Sequence, residues 1–283
     1  MAIVKFKDFS WTYQGYKKPT LRNINLSVKE GEFLGVIGRV GSGRSTFCMT
    51  MLGLIPHFFP GRIKGELVVD GLSVEESSIA ELSTRVGLIF QSPDTQLTGA
   101  GTTVEEELAF GLENLGVPQK EMNKRVKKMV KLIGLESFRN RSPFELSGGQ
   151  QQKVAIASVL IMQPRILVLD EPTAQLDPLG TSQVFDLIKK LAKKGITIIL
   201  NTQKINYLAE FADRVAILNK NKLVKVDKAR KILTDVKLLR RNGIIPSVYT
   251  QLSEQLIKEG LYKGSLCLTL GDAKKMIKKV VKK

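Results

Sequence analysis

Nine residues constrain this chain more than any others: Gly38-Arg-Val-Gly-Ser-Gly-Arg-Ser-Thr46. They follow an apolar run, Glu32–Ile37, that reads as a strand, and they open a helical pattern over Ser45–Leu54. Gly38, Gly41 and Gly43 let the backbone curl so that successive N–H groups point inward. The helix N-terminus behind them adds partial positive charge. Such a loop cradles a polyphosphate. Its spacing assigns phosphate contacts to Gly38, Arg39, Val40, Gly41, Ser42, Gly43, Arg44 and Thr46, and a Mg²⁺ contact to Ser45. A lysine is usual at position 44 of such a loop. Arginine keeps the charge but replaces a compact ammonium with a bulky planar fork. Nucleotide binding is compatible with that change, whereas hydrolysis is expected to slow.

The rest of the pattern supports an α/β core. Ala2–Asp8 alternates apolar and polar residues as a half-buried strand does, and Ile24–Val28, Gly65–Asp70 and Val86–Phe90 are also strand-like. Ile166–Leu169 and Ile196–Leu200 are fully apolar, as buried parallel strands are, with a crossover helix predicted over Pro178–Lys193. Arg214–Leu218 and Lys222–Val226 read as a hairpin across Asn219–Asn221. Between Ser92 and Leu146 the pattern turns helical, over Val104–Leu115 and Glu121–Ile133, with Val126, Met129, Val130 and Ile133 on one face. Another helix is predicted from about Gly148. After Val226 the helical stretches are short, broken by Gly243, Pro246, Gly260 and Gly271. This organisation predicts a nucleotide-binding unit over residues 1–227, with a helical subdomain at about 92–163, and a basic appendage over 228–283.

Asp170 and Glu171 end the apolar strand. There the first acid can hold Mg²⁺ and the second can polarise an attacking water. Leu146-Ser-Gly-Gly-Gln150 supplies a second glycine-rich helix start, about a hundred residues from the first. With these motifs in this order, Ile3–Val226 resembles the nucleotide-binding subunits of ABC transporters. The resemblance implies a P-loop NTPase core of ABC type with an antiparallel β subdomain, an inserted helical subdomain and a small C-terminal appendage. It implies ATP and Mg²⁺ as ligands and head-to-tail pairing of two cassettes. Each nucleotide would then lie between the phosphate loop of one cassette and the signature of the other, here Ser147, Gly148, Gly149 and Gln150. By the same resemblance Tyr13 stacks on adenine, Gln91 touches Mg²⁺ and the water and senses the membrane partner, and Asp177 links the two sites. The family's γ-phosphate histidine falls at Gln203, in Ile198-Ile-Leu-Asn-Thr-Gln203, and the one histidine of the chain is His57. An amide can donate a hydrogen bond there but cannot carry charge.

Gly53-Leu-Ile-Pro-His57, Gln91-Ser-Pro-Asp-Thr-Gln-Leu97 and Val104-Glu-Glu-Glu-Leu-Ala-Phe-Gly111 look like energy-coupling-factor importers of vitamins and metal ions. That likeness implies two cassettes, often non-identical, a transmembrane coupling subunit and a separate substrate-capturing membrane subunit. Arg44 and Gln203 weaken one half-site while the signature and Glu171 are intact, so a heterodimer with unequal sites is expected over a homodimer that tolerates both changes. No run approaches about 20 apolar residues. The expected location is therefore peripheral, at the cytoplasmic face of the membrane through a partner. Cys48 and Cys267 are far apart and in no metal spacing, which fits a reducing compartment.

The formal charge of +17 admits a rival, a cassette ATPase acting on nucleic acid or ribosomes. Residues 228–283 hold 14 Lys or Arg against 4 Asp or Glu. The chain lacks the long coiled-coil insertion of the DNA-repair and chromosome types and the second cassette of the translation types, so nucleic acid is not the expected partner. A second rival is an ATP-dependent clamp with little hydrolysis, which Arg44 and Gln203 bring closer.

Overall fold

The structure is a computed structural model that describes residues 1–281. Lys282 and Lys283, the end of the expected appendage, lie outside the described residues. In chain order the strands are β1 (Ala2–Tyr13), β2 (Leu21–Lys29), β3 (Phe33–Gly38), β4 (Gly61–Val69), β5 (Leu72–Ser73), β6 (Val86–Ile89), β7 (Ile166–Asp170), β8 (Thr197–Asn201), β9 (Arg214–Asn219) and β10 (Lys222–Lys228). They make two sheets. One is antiparallel, in the order β2-β1-β4-β5. The other runs β10-β9-β3-β8-β7-β6 and is parallel except for β10.

The parallel strands are apolar through their middles, as strands with both faces covered are. Successive side chains alternate between two cores. Phe33, Ile37, Leu167, Leu169, Ile198 and Leu200 pack with the inserted helices and the crossover helix. Leu34, Val36, Ile166, Val168 and Ile199 pack with the antiparallel sheet. Full burial of each such side chain contributes about 1.5–3 kcal/mol. Helices Val104–Asn114, Gln119–Ile133 and Gly148–Leu160 occupy the chain between β6 and β7. Val126, Val130 and Ile133 are buried on one face, as the periodicity predicts. The helix between β7 and β8 is Pro178–Ala192, and β9 and β10 form the predicted hairpin.

Three features depart from the pattern-based reading. β1 runs on past Asp8 to Tyr13, because Asp8 takes a left-handed conformation (φ 48°) and a register shift between Lys7 and Ser10 lets the strand resume. That extension carries Tyr13 to within hydrogen-bond reach of Thr46. Short helices at Ile79–Ser83 and Ile205–Phe211 carry no periodic signal long enough to read. The C-terminal segment forms helices Ala229–Leu233, Val236–Arg241, Val248–Lys258 and Leu270–Val281. Ile232, Leu233, Leu238, Leu239, Ile244 and Leu268 belong to the same core as the inserted helices. This segment is thus packed into the body of the molecule, while Lys274, Lys275, Lys278 and Lys279 remain exposed.

What positions the site is strand order. β8 lies between β3, which carries the phosphate loop, and β7, which carries the acids. Asn201 at the end of β8 is in register with Val36 on one side and Asp170 on the other. A crevice at the carboxyl ends of such strands is where open α/β sheets bind ligands.

Candidate functional site

The loop after β3 is shaped by close backbone approaches. A Cβ on Gly38 would lie 2.1 Å from the Leu218 carbonyl oxygen, so no side chain fits there. Gly43 has φ 95° and would place a Cβ 2.6 Å from the Thr20 carbonyl oxygen. Gly43 is also the N-cap of helix Arg44–Met51, and no side chain caps that helix. Its first-turn N–H groups therefore lack the side-chain acceptor that most helix starts have. Ser42 adds a buried hydroxyl with no hydrogen-bond partner. A polyphosphate satisfies such a cradle.

The cradle forms one wall of a cavity of about 570 Å³. Val40, Gly41, Ser42, Gly43, Arg44, Ser45 and Thr46 line it, together with Gln91, Glu171 and Gln203. The sheet thus brings together the loop, the general-base candidate, the glutamine after β6 and the residue at the expected histidine position. Gln91 and Gln203 are exposed to the cavity. Gly38 and Arg39 instead line a neighbouring cavity of about 380 Å³, where the Arg39 side chain packs on Gly243. Tyr13 stands beside the loop, its hydroxyl 3.1 Å from the Thr46 hydroxyl and its ring edge-on to Trp11 and Phe59. Burial pushes the Tyr13 phenol up from its ordinary value, and the Thr46 hydrogen bond opposes this.

Arg44 is 7% exposed and folds back towards the acids. Its Nη1 donates to Glu171 Oε1 at 2.8 Å and to Asn201 Oδ1 at 2.8 Å. Asn201 in turn donates through Nδ2 to Asp170 Oδ1. The backbone N–H of Gln203 donates to Glu171 Oε2 at 3.3 Å, so both oxygens of the candidate base are engaged. Glu171 itself has φ 49° and donates its N–H to the Asn201 carbonyl at 2.9 Å. A left-handed non-glycine residue at this point is the kind of strain that clusters at functional sites. On the buried face of helix Arg44–Met51, Cys48 has its thiol pushed well up by burial and by Asp170, with Arg44 opposing and Glu171 adding.

Ser45 is exposed on the cavity. Asp170 lies behind the cavity wall, 8% exposed and joined to Arg44 through Asn201. Hydroxyl and carboxylate oxygens suit Mg²⁺, with the phosphates supplying further oxygens. No group of three or more His, Cys, Asp or Glu that could hold a metal alone exists among the described residues. The donor set therefore fits an ion that arrives with a nucleotide.

The signature residues lie away from this cavity. Ser147 caps helix Gly148–Leu160: its hydroxyl accepts from the Gln150 N–H at 3.4 Å, and its own N–H donates to Gln150 Oε1 at 3.0 Å. Ser147 and Gly148 are exposed, whereas Gly149 packs on Gly180, where a Cβ would lie 2.8 Å from Cα. Asp177 caps the following helix through Gly180 N–H at 2.7 Å and is also exposed. Within one chain the two glycine-rich helix starts do not share a pocket.

Sequence reasoning missed three residues here. Thr20 and Lys204 line the cavity, and Asn201 sits at the centre of its polar network. Lys204 Nζ donates to the Thr173 carbonyl at 2.9 Å and the Thr181 hydroxyl at 2.8 Å. Burial lowers its ammonium from the ordinary value, with Glu171 opposing. The one available signal was Asn201 itself, an amide ending a run of apolar strand residues.

Comparison with known proteins supplies a frame for this geometry. The family model described as ABC transporter matches residues 21–174. A protein of Pyrococcus horikoshii named as an ABC transporter ATP-binding protein is 47% identical over 262 residues, covering 92% of this chain and 92% of that protein. The energy-coupling factor transporter ATP-binding protein of Methanocaldococcus jannaschii is 37% identical over 279 residues, covering 98% of this chain and 97% of its own length. Among solved structures, cbiO1 of Clostridium perfringens, part of the ABC transporter complex cbiONQ, superposes with a TM-score of 0.74 at 31% identity, covering 85% of this chain and 94% of that one. A dimeric ATP-binding cassette in a post-hydrolysis state with ADP and Pi superposes with a TM-score of 0.68 at 31% identity, covering 80% of this chain and 99% of that one.

Proposed function

The chain belongs to the ATP-binding subunits of the ABC transporter family, and from that premise we propose that it drives an energy-coupling-factor importer of vitamins or metal ions as one half of a heterodimer with unequal sites. Its activity is that of an ABC-type ATPase, with ATP and Mg²⁺ as ligands. The observation that carries the unequal-site reading is the engagement of Glu171 by Arg44 inside the cavity that is lined by the phosphate loop.

In this reading the loop N–H groups from Gly41 to Thr46 hold the β- and γ-phosphates, and Tyr13 stacks on adenine. Ser45, Gln91 and Asp170 would hold Mg²⁺, which would neutralise phosphate charge. Glu171 takes the proton of the attacking water, and Gln203 donates a neutral hydrogen bond to the γ-phosphate. Glu171 performs its task when the guanidinium of Arg44 leaves it, which lowers turnover at this site. Ser147, Gly148 and Asp177 are exposed. With Gly149 and Gln150 they serve ATP held by the partner's loop. The ATP-binding cassette occupies 1–227, with its helical subdomain at about 92–163, and 228–283 is an appendage to it.

The membrane partners of this reading are a coupling subunit and a substrate-capturing subunit. Among the described residues no helix is long and apolar enough to cross a membrane; in this reading the chain attaches to the cytoplasmic face through those partners. The test is purification of the tagged chain from detergent-solubilised membranes. The expected assembly contains a second, non-identical cassette and two integral membrane proteins, and its ATPase activity is coupled to the latter. Recovery as a free homodimer with full activity would contradict the proposal.

A further inference from the structure

We infer that Asn201 is a positioning residue that acts through Arg44: the two side chains latch both acids of the site to the phosphate loop. The inference rests on the reading that this chain's own site binds ATP and turns it over slowly, and it names the device responsible.

Asn201 is 1% exposed and ends the strand that separates the loop strand from the acidic strand. Both halves of its amide are in use. Oδ1 accepts from Arg44 Nη1 at 2.8 Å, and Nδ2 donates to Asp170. A cation on one side and a carboxylate on the other assign the amide's orientation, since a flipped amide would face donor with donor and acceptor with acceptor. One guanidinium nitrogen, Nη1, contacts both Asn201 and Glu171 at 2.8 Å. A buried guanidinium needs such acceptors, because an unpaired buried charge is strongly unfavourable. Glu171 supplies one and Asn201 supplies the next. Asp170 and Glu171, the acids assigned to metal and water, are thereby joined through a single amide and a single guanidinium.

This arrangement opposes ligand binding. When Arg44 turns to a phosphate, the buried Oδ1 of Asn201 loses its donor. Asn201 therefore holds Arg44 on Glu171 and resists its transfer to nucleotide. Removing the amide removes that resistance. A charge-assisted hydrogen bond of this type corresponds to about a tenfold change in affinity.

The experiment is a double-mutant cycle on ATP affinity, read by calorimetry in EDTA so that no turnover intervenes. The four chains are the unsubstituted protein, Asn201→Ser, Arg44→Lys and the pair. Lysine has no planar fork, so it does not form the same latch. The expected result is that Asn201→Ser tightens ATP binding about tenfold when Arg44 is present and changes it less than about twofold in the Arg44→Lys background. Equal effects in both backgrounds, or a lowered melting temperature with unchanged affinity, would mean that Asn201 is merely structural and would overturn the inference. Asn201→Val, whose side chain suits a buried strand, replaces the serine variant if that variant is unstable. If the unsubstituted chain binds no ATP, the parent reading fails. If it binds ATP but the cycle is additive, the latch alone fails.

Discussion

Helix Arg44–Met51 and helix Gly148–Leu160 both start in glycine-rich turns, yet their first turns are satisfied in different ways. The first has Gly43 at its cap, no capping side chain, and a buried unpartnered hydroxyl beside it. The second is closed by the reciprocal bonds of Ser147 and Gln150. An uncapped start is incomplete without an anion and lies in a cavity with Glu171 of its own chain. A self-capped start is complete as it stands and faces outward. Under the proposed function the two elements serve different nucleotides: one is held by this chain and the other is offered by a partner.

Substitutions on the two sides should therefore separate binding from turnover. The largest effect is expected at Gly149, where a side chain has no room against Gly180. Gly149→Val should lower ATP turnover of the assembled pair about a hundredfold. It should leave ATP affinity of the isolated chain within about twofold, as calorimetry can check. Next comes Gly43→Ala, which meets a left-handed φ and the Thr20 carbonyl. It should weaken ATP binding by the isolated chain more than about tenfold and lower its stability by about 1–3 kcal/mol, measured by titration and thermal melting. Glu171→Gln should reduce turnover of the assembled pair less than about threefold, because the slow site contributes little to the total rate. A large loss, in phosphate-release assays, would instead place the fast site on this chain. The smallest effect is expected for Ser147→Ala. Loss of the cap should destabilise its helix by about 1 kcal/mol and leave ATP binding to the isolated chain unchanged.

Much of this architecture could be read from residues before any coordinates. The strands β3, β7 and β8 are short apolar runs, and the loop and the acids sit at their ends, so local patterning located them. Arg44 and Gln203 could also be singled out, because each is a side chain of unusual chemistry at a position with a defined spacing. The direction of Arg44 could not. It depends on β8 being placed between β3 and β7, a neighbourhood set by sheet order between residues 157 apart in sequence. Asn201 and Lys204 escaped for the same reason, since their contacts depend on that sheet order and not on local spacing. The end of β1 was illegible because an Asp at left-handed φ breaks the alternation while the strand continues. The C-terminal segment buries isolated apolar pairs, such as Ile232–Leu233 and Leu238–Leu239, in a core built by distant helices. Short pairs of this kind carry no periodicity to read.

This chain is proposed to bind ATP at its own loop but to hydrolyse it slowly. Steady-state MgATP turnover of the purified chain, with no partner present, tests that claim most directly when set beside the Arg44→Lys, Gln203→His double variant. The expected result is stoichiometric ATP binding with turnover at about a tenth of the double variant's rate or less. Brisk hydrolysis by the unsubstituted chain, with no gain from the two substitutions, would contradict it.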